Sequence, residues 1–259
     1  MNRVAITIFN FNIYWYSIFI LIGVIFAYFL IISESKKHNL DKEKMSDLMF
    51  YTIIIGILGA RLYYVLFNLD YYLLNPIEII KIHNGGLAIH GGVITGLIVI
   101  YLYTKKNNIN FIKVLDICSP ALILAQSIGR WGNFFNQEAH GGITTLAKLK
   151  QLHIPSFVIN GMNIDGNYYY PTFFFESILC LIGFVIIMII RKNKKIKIGV
   201  QIGFYFIWYG IIRFIIEIFR TDSLMLFDLK MAQIISIIGI IIGIILIFLS
   251  RKNEKFYKE

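Results

Sequence analysis

Apolar residues along this chain come in long blocks separated by shorter polar stretches. Seven blocks predict membrane-spanning helices at about Ile13–Ile32, Leu48–Phe67, Leu87–Tyr103, Val114–Phe135, Thr172–Ile190, Gly199–Phe219 and Met231–Ser250. Most reach or approach the ~20 residues that cross a bilayer core. The third is short and opens in a glycine-rich stretch, whereas the last carries no charge. The first block lacks a small-x-small cleavage site and is expected to remain as a span. The pattern predicts an all-α polytopic membrane protein of seven transmembrane helices, one transmembrane domain over residues 1–259. Two polar insertions interrupt it. Residues 68–86 predict a partly helical arm on the membrane surface. Residues 136–171 predict a small cap, with hairpin-type turns at Asn160-Gly161 and Asp165-Gly166. No internal repeat is visible, which counts against a transporter built from paired halves.

Composition agrees with the pattern. Hydrophobic residues make up 58% and charged residues 15% of the 259, against about 25% charged in an ordinary soluble domain. The net charge of +10 lies mostly in loops beside spans, with no basic-aromatic stripe, so nucleic acid is not an expected partner. Lys36 to Lys44, Lys105 to Lys113, Arg191 to Lys197 and Arg251 to Lys258 all fall on one side of the predicted topology. The positive-inside rule puts that side in the cytoplasm, with the N-terminus outside and the C-terminus inside. Cys118 and Cys180 sit inside apolar blocks and read as small buried hydrophobes. There is no C-x-x-C, P-loop, H-E-x-x-H or G-x-S-x-G, so neither a metal nor a cofactor is expected.

Polar chemistry gathers at Gly129 to Gly142, G-R-W-G-N-F-F-N-Q-E-A-H-G-G, at the end of the fourth span. An arginine within a span costs about 2.5–3.5 kcal/mol on insertion scales, so it calls for an anionic partner or a watery cavity. Gln126, Arg130 and Asn133 share one helical face. For Arg130 the alternative is snorkelling to the interface. In the sixth span Tyr209, Arg213, Glu217 and Arg220 line one face, and Arg213 with Glu217 fits either an intrahelical ion pair or a direct role. Two arginines in one cavity would suit a phosphate.

His90 sits between two Gly-Gly pairs in N-G-G-L-A-I-H-G-G, where a structural histidine and a general base stand about even. Asn136 and Glu138 follow at the mouth of the fourth span, where Glu138 either orients a headgroup or pairs with an arginine. Tyr16 reads as an interface anchor or a cavity residue, and Arg61 as support for packing or for a neighbouring carboxylate. Asp116 and Glu176 read as structural. These residues fit an anionic lipid headgroup. They also leave open an anion channel or transporter, a lipid-binding accessory protein without turnover, and a phospholipase lacking the usual serine motif.

The block G-R-W-G-N-F-F-N-Q-E-x-x-G closely resembles the signature of the bacterial prolipoprotein diacylglyceryl transferases. The resemblance extends in order to N-G-G-L-A-I-H-G-G, to G-A-R-L-Y-Y-V-L-F around Arg61, to Y-P-T-F-F-F-E from Tyr170 to Glu176 and to Y-G-I-I-R-F-I-I-E-I-F-R from Tyr209 to Arg220. It implies transfer of a diacylglyceryl group from phosphatidylglycerol to the lipobox cysteine of a prolipoprotein, with release of glycerol 1-phosphate. The implied setting is the bacterial plasma membrane, among membrane lipids, with the site facing the outer leaflet. By matching motifs, His90, Arg130 and Arg213 carry over as essential or lipid-binding, and the expected mechanism makes these three catalytic. Tyr16, Asn133, Glu138, Tyr209 and Glu217 carry over in the same way and are expected, with Arg130, Asn136 and Gly141, to bind substrate. The family's tyrosine in the Pro171–Glu176 block is absent here, where Thr172-Phe173-Phe174-Phe175 stands.

Overall fold

The computed structural model describes residues 1–9, 11–82 and 85–253. All seven predicted blocks are long helices: α1 (Trp15–Lys37), α2 (Lys42–Leu66), α4 (Ile89–Lys106), α5 (Phe111–Asn136), α8 (Thr172–Arg191), α9 (Val200–Phe219) and α10 (Met231–Ser250). Between them lie the short helices α3 (Leu69–Leu74), α6 (Leu146–Gln151) and α7 (Ser156–Gly161). Six of the long helices are long and apolar enough to cross a membrane. The seventh, α4, carries His90, Lys105 and Lys106 within 18 residues. The protein is a multi-pass helical membrane protein.

Several helices extend past one end of their apolar blocks. Asp41 caps α2 by accepting from the N–H groups of Glu43 (2.8 Å) and Lys44 (3.5 Å), so that helix starts well before Leu48. At the other extreme α1 starts two residues later than Ile13, because β1 (Val4–Ile8) and β2 (Phe11–Tyr14) pair as an antiparallel hairpin. Asn84, which opens the histidine-bearing motif, lies outside the described residues, as do Lys255 and Lys258 of the last basic cluster.

The chain divides into two compact units, Met1–Ile31 with Leu115–Glu259, and Ile32–Val114. In the second unit α2 packs on α4 through small residues. A Cβ on Gly91 would stand 2.6 Å from the Gly59 carbonyl oxygen, so only glycine permits this approach. The arm comprises α3 and a 3-10 turn at Pro76–Ile80. Arg61, buried at 6% exposure, holds it by donating to the carbonyls of Glu78 (2.5 Å), Ile79 (2.9 Å), Gly85 (2.8 Å) and Gly86 (2.8 Å). Of the two supporting roles expected for Arg61, this is packing; its partners are backbone carbonyls.

In the first unit α9 packs on both α8 and α10. Gly203 and Gly243 let α9 and α10 touch backbone to backbone: a Cβ on Gly243 would lie 2.6 Å from the Gly203 oxygen. Buried Asp116 accepts from the N–H groups of Gly199 (2.6 Å) and Ile202 (2.8 Å), closing the first turn of α9 from a neighbouring helix. Its structural reading therefore holds.

Between α5 and α8 the cap folds around its own core of Phe134, Leu149, Ile154, Val158, Ile159, Met162 and Phe173. Strands β3 (Ile143–Thr144), β4 (Asn163–Ile164) and β5 (Asn167–Tyr169) form a sheet in the order β3-β5-β4. One of the two expected turns is present: Asp165 (φ 50°) and Gly166 (φ 83°) join β4 to β5 as a type I′ pair would. The other is corrected. Asn160-Gly161 ends α7 instead, because Val158 and Ile159 are drawn into the cap core and hold the segment helical. Another small hairpin, β6 (Met225–Leu226) and β7 (Leu229–Lys230), joins α9 to α10.

Candidate functional site

The predicted polar residues of α5 and α9 meet inside the first unit, and a residue of α8 joins them. Arg130 donates through Nη2 to Glu176 Oε1 at 2.6 Å and to the Tyr209 hydroxyl at 3.2 Å. Arg213 donates through Nη1 to Glu176 Oε2 at 3.3 Å, and its Nη2 lies 2.6 Å from Glu217 Oε2. The Tyr209 hydroxyl also donates to Glu176 Oε1 at 3.3 Å. One carboxylate, with 2% of its side chain exposed, thus bridges two guanidinium groups that are 20% and 17% exposed. Arg130 is therefore held in a buried ion pair, which answers the snorkelling alternative. Its Nε and Nη1 make no hydrogen bond among the described residues.

The helix geometry accounts for the meeting. On α5 the spacing of Gln126, Arg130 and Asn133 points all three to one side. Gln126 reaches α9, donating to the Tyr205 hydroxyl at 3.0 Å, and Tyr205 stacks on Tyr209 one turn later. Arg213 and Glu217 form the i, i+4 pair that their spacing predicts. Lys230 closes the C-terminal end of α9, donating to the carbonyls of Glu217 (2.6 Å) and Arg220 (3.0 Å).

Glu138 is brought back over α5 by the way that helix ends. Gln137 adopts a left-handed φ of 54°, the Glu138 N–H bonds to the Asn133 carbonyl, and the Gln137 N–H bonds to that of Phe134, both at 3.1 Å. This is a Schellman closure made without glycine. The Glu138 carboxylate then accepts from Asn133 Nδ2 (3.0 Å) and Asn136 Nδ2 (3.1 Å). Of the two roles weighed for Glu138, its hydrogen bonds here are to amides. Tyr16 lies against Gly132, where an added Cβ would meet its ring at 2.6 Å, within electrostatic reach of Glu138 and Arg130.

Gly141 is a tether point. Its N–H donates to the Tyr170 carbonyl at 2.8 Å, and it forms an isolated bridge with Arg220. Arg220 in turn makes a two-pronged pair with Asp222, both contacts at 3.0 Å. Burial alone would raise the Asp222 carboxyl, but hydrogen bonds and charge from Arg220 outweigh it and hold the group below the usual carboxylate range.

His90 belongs to the other unit. It is exposed in the first turn of α4, its ring 6.4 Å from that of Tyr63. Glu176, read from the sequence as structural at a span end, lies five positions into α8 and is the shared ion-pair partner of both arginines, a link that the sequence reading did not make. Its signal was present: an ionisable residue five positions into an apolar helix is a functional candidate by default.

Sequence comparison bears on what this constellation is. The family model described as prolipoprotein diacylglyceryl transferase matches residues 3–249. This chain belongs to that family. It is 48% identical over its whole length to a Clostridium novyi (strain NT) protein, itself fully covered, named phosphatidylglycerol--prolipoprotein diacylglyceryl transferase. Proteins of the same name from Ligilactobacillus salivarius and Staphylococcus xylosus are 46% and 45% identical, the matches covering 100% and 93% of this chain and 98% and 86% of theirs. The diacylglyceryl transferase family thus contributes a match that runs through every helix carrying the site.

Proposed function

We propose that this chain transfers the diacylglyceryl group of phosphatidylglycerol to the lipobox cysteine thiol of prolipoproteins, the first step of bacterial lipoprotein maturation. The observation that carries the reading is the Arg130–Glu176–Arg213 cluster, two half-buried forks sharing one buried carboxylate in a chain of this family. A phosphodiester entering the cluster would engage the open edge of Arg130 and compete with Glu176 for the guanidinium groups. Arginine suits this because its planar fork matches phosphate oxygens and its charge is permanent.

In the reaction the substrate sulfur attacks the glycerol carbon that bears the phosphoester oxygen. The S–C bond forms, the C–O bond breaks, and the electron pair leaves on glycerol 1-phosphate. Negative charge grows on that leaving oxygen, where Arg130 and Arg213 stabilise it. Tyr209 and Glu217 position the two arginines, while Asn133, Asn136 and Glu138 orient the headgroup beside Tyr16. The thiol proton must leave before or during attack, since the thiolate is the nucleophile. On motif alone, His90 is assigned as its acceptor. Cys118 and Cys180 are buried, so the reacting thiol is the substrate's. The topology proposed with this reading has the N-terminus and the cap outside and the site in the outer leaflet of the plasma membrane, which the distribution of basic loops supports.

The test is mass spectrometry of a lipobox peptide incubated with purified protein and phosphatidylglycerol. A diacylglyceryl mass gain on cysteine, absent with Arg130→Ala, is expected. No gain with folded, lipid-bound protein would overturn the transferase reading.

A further inference from the structure

The end of the first unit opposite the arginine cluster carries a second cationic feature. A cavity of about 430 Å³ opens where α8 and α10 end and α9 begins. That volume lies in the ~300–1,000 Å³ range of small-ligand sites. Its apolar part includes half-buried Ile190 and buried Ile196, and its polar part Asn193, Lys195, Lys197 and Arg251.

Among the described residues, three cations and no carboxylate line this cavity. Among the described residues none of the three is ion-paired. Lys197 donates to the Arg251 carbonyl, and the Arg251 guanidinium sits 5.4 Å above the Phe248 ring. The nearby acid, Asp116, is fully buried and committed to the first turn of α9. It also satisfies the helix N-terminus, so an incoming anion would be held by the side chains.

The location selects among anions. Ile190, Val200 and Ser250 are terminal or next-to-terminal residues of three apolar helices, which sets the cavity at the hydrocarbon boundary. Val200 to Glu217 along α9 is about 25 Å at 1.5 Å per residue, nearly the thickness of a bilayer core. Exposed apolar side chains, Ile189 and Phe248 among them, lie beside the opening where acyl chains would run.

We propose that this cavity binds the phosphodiester headgroup of an anionic glycerophospholipid from the leaflet opposite the catalytic arginines. Cationic cavities between transmembrane helices on the basic side of a membrane protein suit such headgroups. The chemistry needed is an anionic phosphate plus an apolar tail; a free phosphate supplies only the first. The site is distinct from the transferase centre and stands whether or not the transferase reading does.

The experiment uses delipidated full-length protein carrying Arg130→Ala, which weakens lipid binding at the catalytic site. It is titrated in neutral detergent with cardiolipin, phosphatidylglycerol or phosphatidylcholine and read by native mass spectrometry as retained lipid. Preferential retention of the anionic lipids is expected. Lys195→Ser with Arg251→Ser should weaken it about tenfold. Lys192→Ser with Lys194→Ser removes equal charge from exposed positions outside the lining and should change it little. In the otherwise natural protein the first pair should leave diacylglyceryl transfer unchanged at saturating substrate. Equal retention of phosphatidylcholine, equal losses from the two double variants, or displacement by millimolar inorganic phosphate would each overturn the proposal.

Discussion

Arg130, Arg213 and Glu176 form a unit whose parts cannot be removed singly without consequence. Each guanidinium is largely withdrawn from water, and the carboxylate is almost wholly so. Removing one partner from such a cluster leaves uncompensated buried charge, a loss of about 3–5 kcal/mol. Glu176→Ala is expected to show a loss of that order in thermal unfolding in detergent, with turnover falling alongside. Normal stability would mean that the two arginines find other partners. Arg130→Lys keeps the charge but replaces the fork with a point donor, so turnover should drop about a hundredfold. Near-normal turnover would remove the two-pronged role. Glu176 also marks where sequence reasoning stopped. Spacing along one helix showed that Arg130 shares a face with Gln126, and Arg213 a face with Glu217. Which third helix supplies the common carboxylate depends on packing between helices, and no spacing within one segment encodes that.

At the scale of elements, apolar block length located every long helix but not its ends. The polar first turn of α2 depends on the Asp41 cap, and the N-terminal hairpin was hidden because V-A-I-T-I reads as apolar sequence leading into a span. The close approach of α9 and α10 can be tested by a contrast. Gly243→Ala would set a methyl 2.6 Å from the Gly203 oxygen, whereas the nearest atoms to a Cβ on Gly239 are 3.9 Å away. The first change should destabilise by about 1–3 kcal/mol through overpacking, and the second should be neutral or stabilise by up to about 1 kcal/mol through helix propensity. Equal melting temperatures for the two variants would contradict backbone contact at Gly243. The C-terminal end of α9 gives a pH dependence. Because Asp222 is held below its ordinary value in the folded state, its pair with Arg220 contributes fully above the unfolded carboxylate pKa of about 3.9. That contribution fades as pH falls through the lower folded value. Asp222→Asn should therefore lower stability at neutral pH and flatten the acid limb below about pH 4. A limb unchanged by the substitution would show that the pair is not what titrates.

For the whole molecule, orientation is read from the first unit, in which the two ends of the helices differ in kind. One carries the cap, the hairpins and the arginine cluster; the other carries the basic segment that begins at Arg191 and the cationic cavity. The proposed orientation rests on that asymmetry, since lysines and arginines in short loops favour the cytoplasmic side. Natural Cys118 and Cys180 are both buried, so single engineered cysteines at exposed positions can report sidedness with little background. Lys148→Cys, in helix α6 of the cap, should react with a membrane-impermeant maleimide added to intact cells or right-side-out vesicles. Lys194→Cys, in the turn between α8 and α9, should react only after the membrane is opened. The reverse pattern would turn the protein over, moving the arginine cluster to the cytoplasmic leaflet and away from any exported prolipoprotein. It would therefore refute the assigned topology and, with it, the supply of substrate that the transferase reading requires.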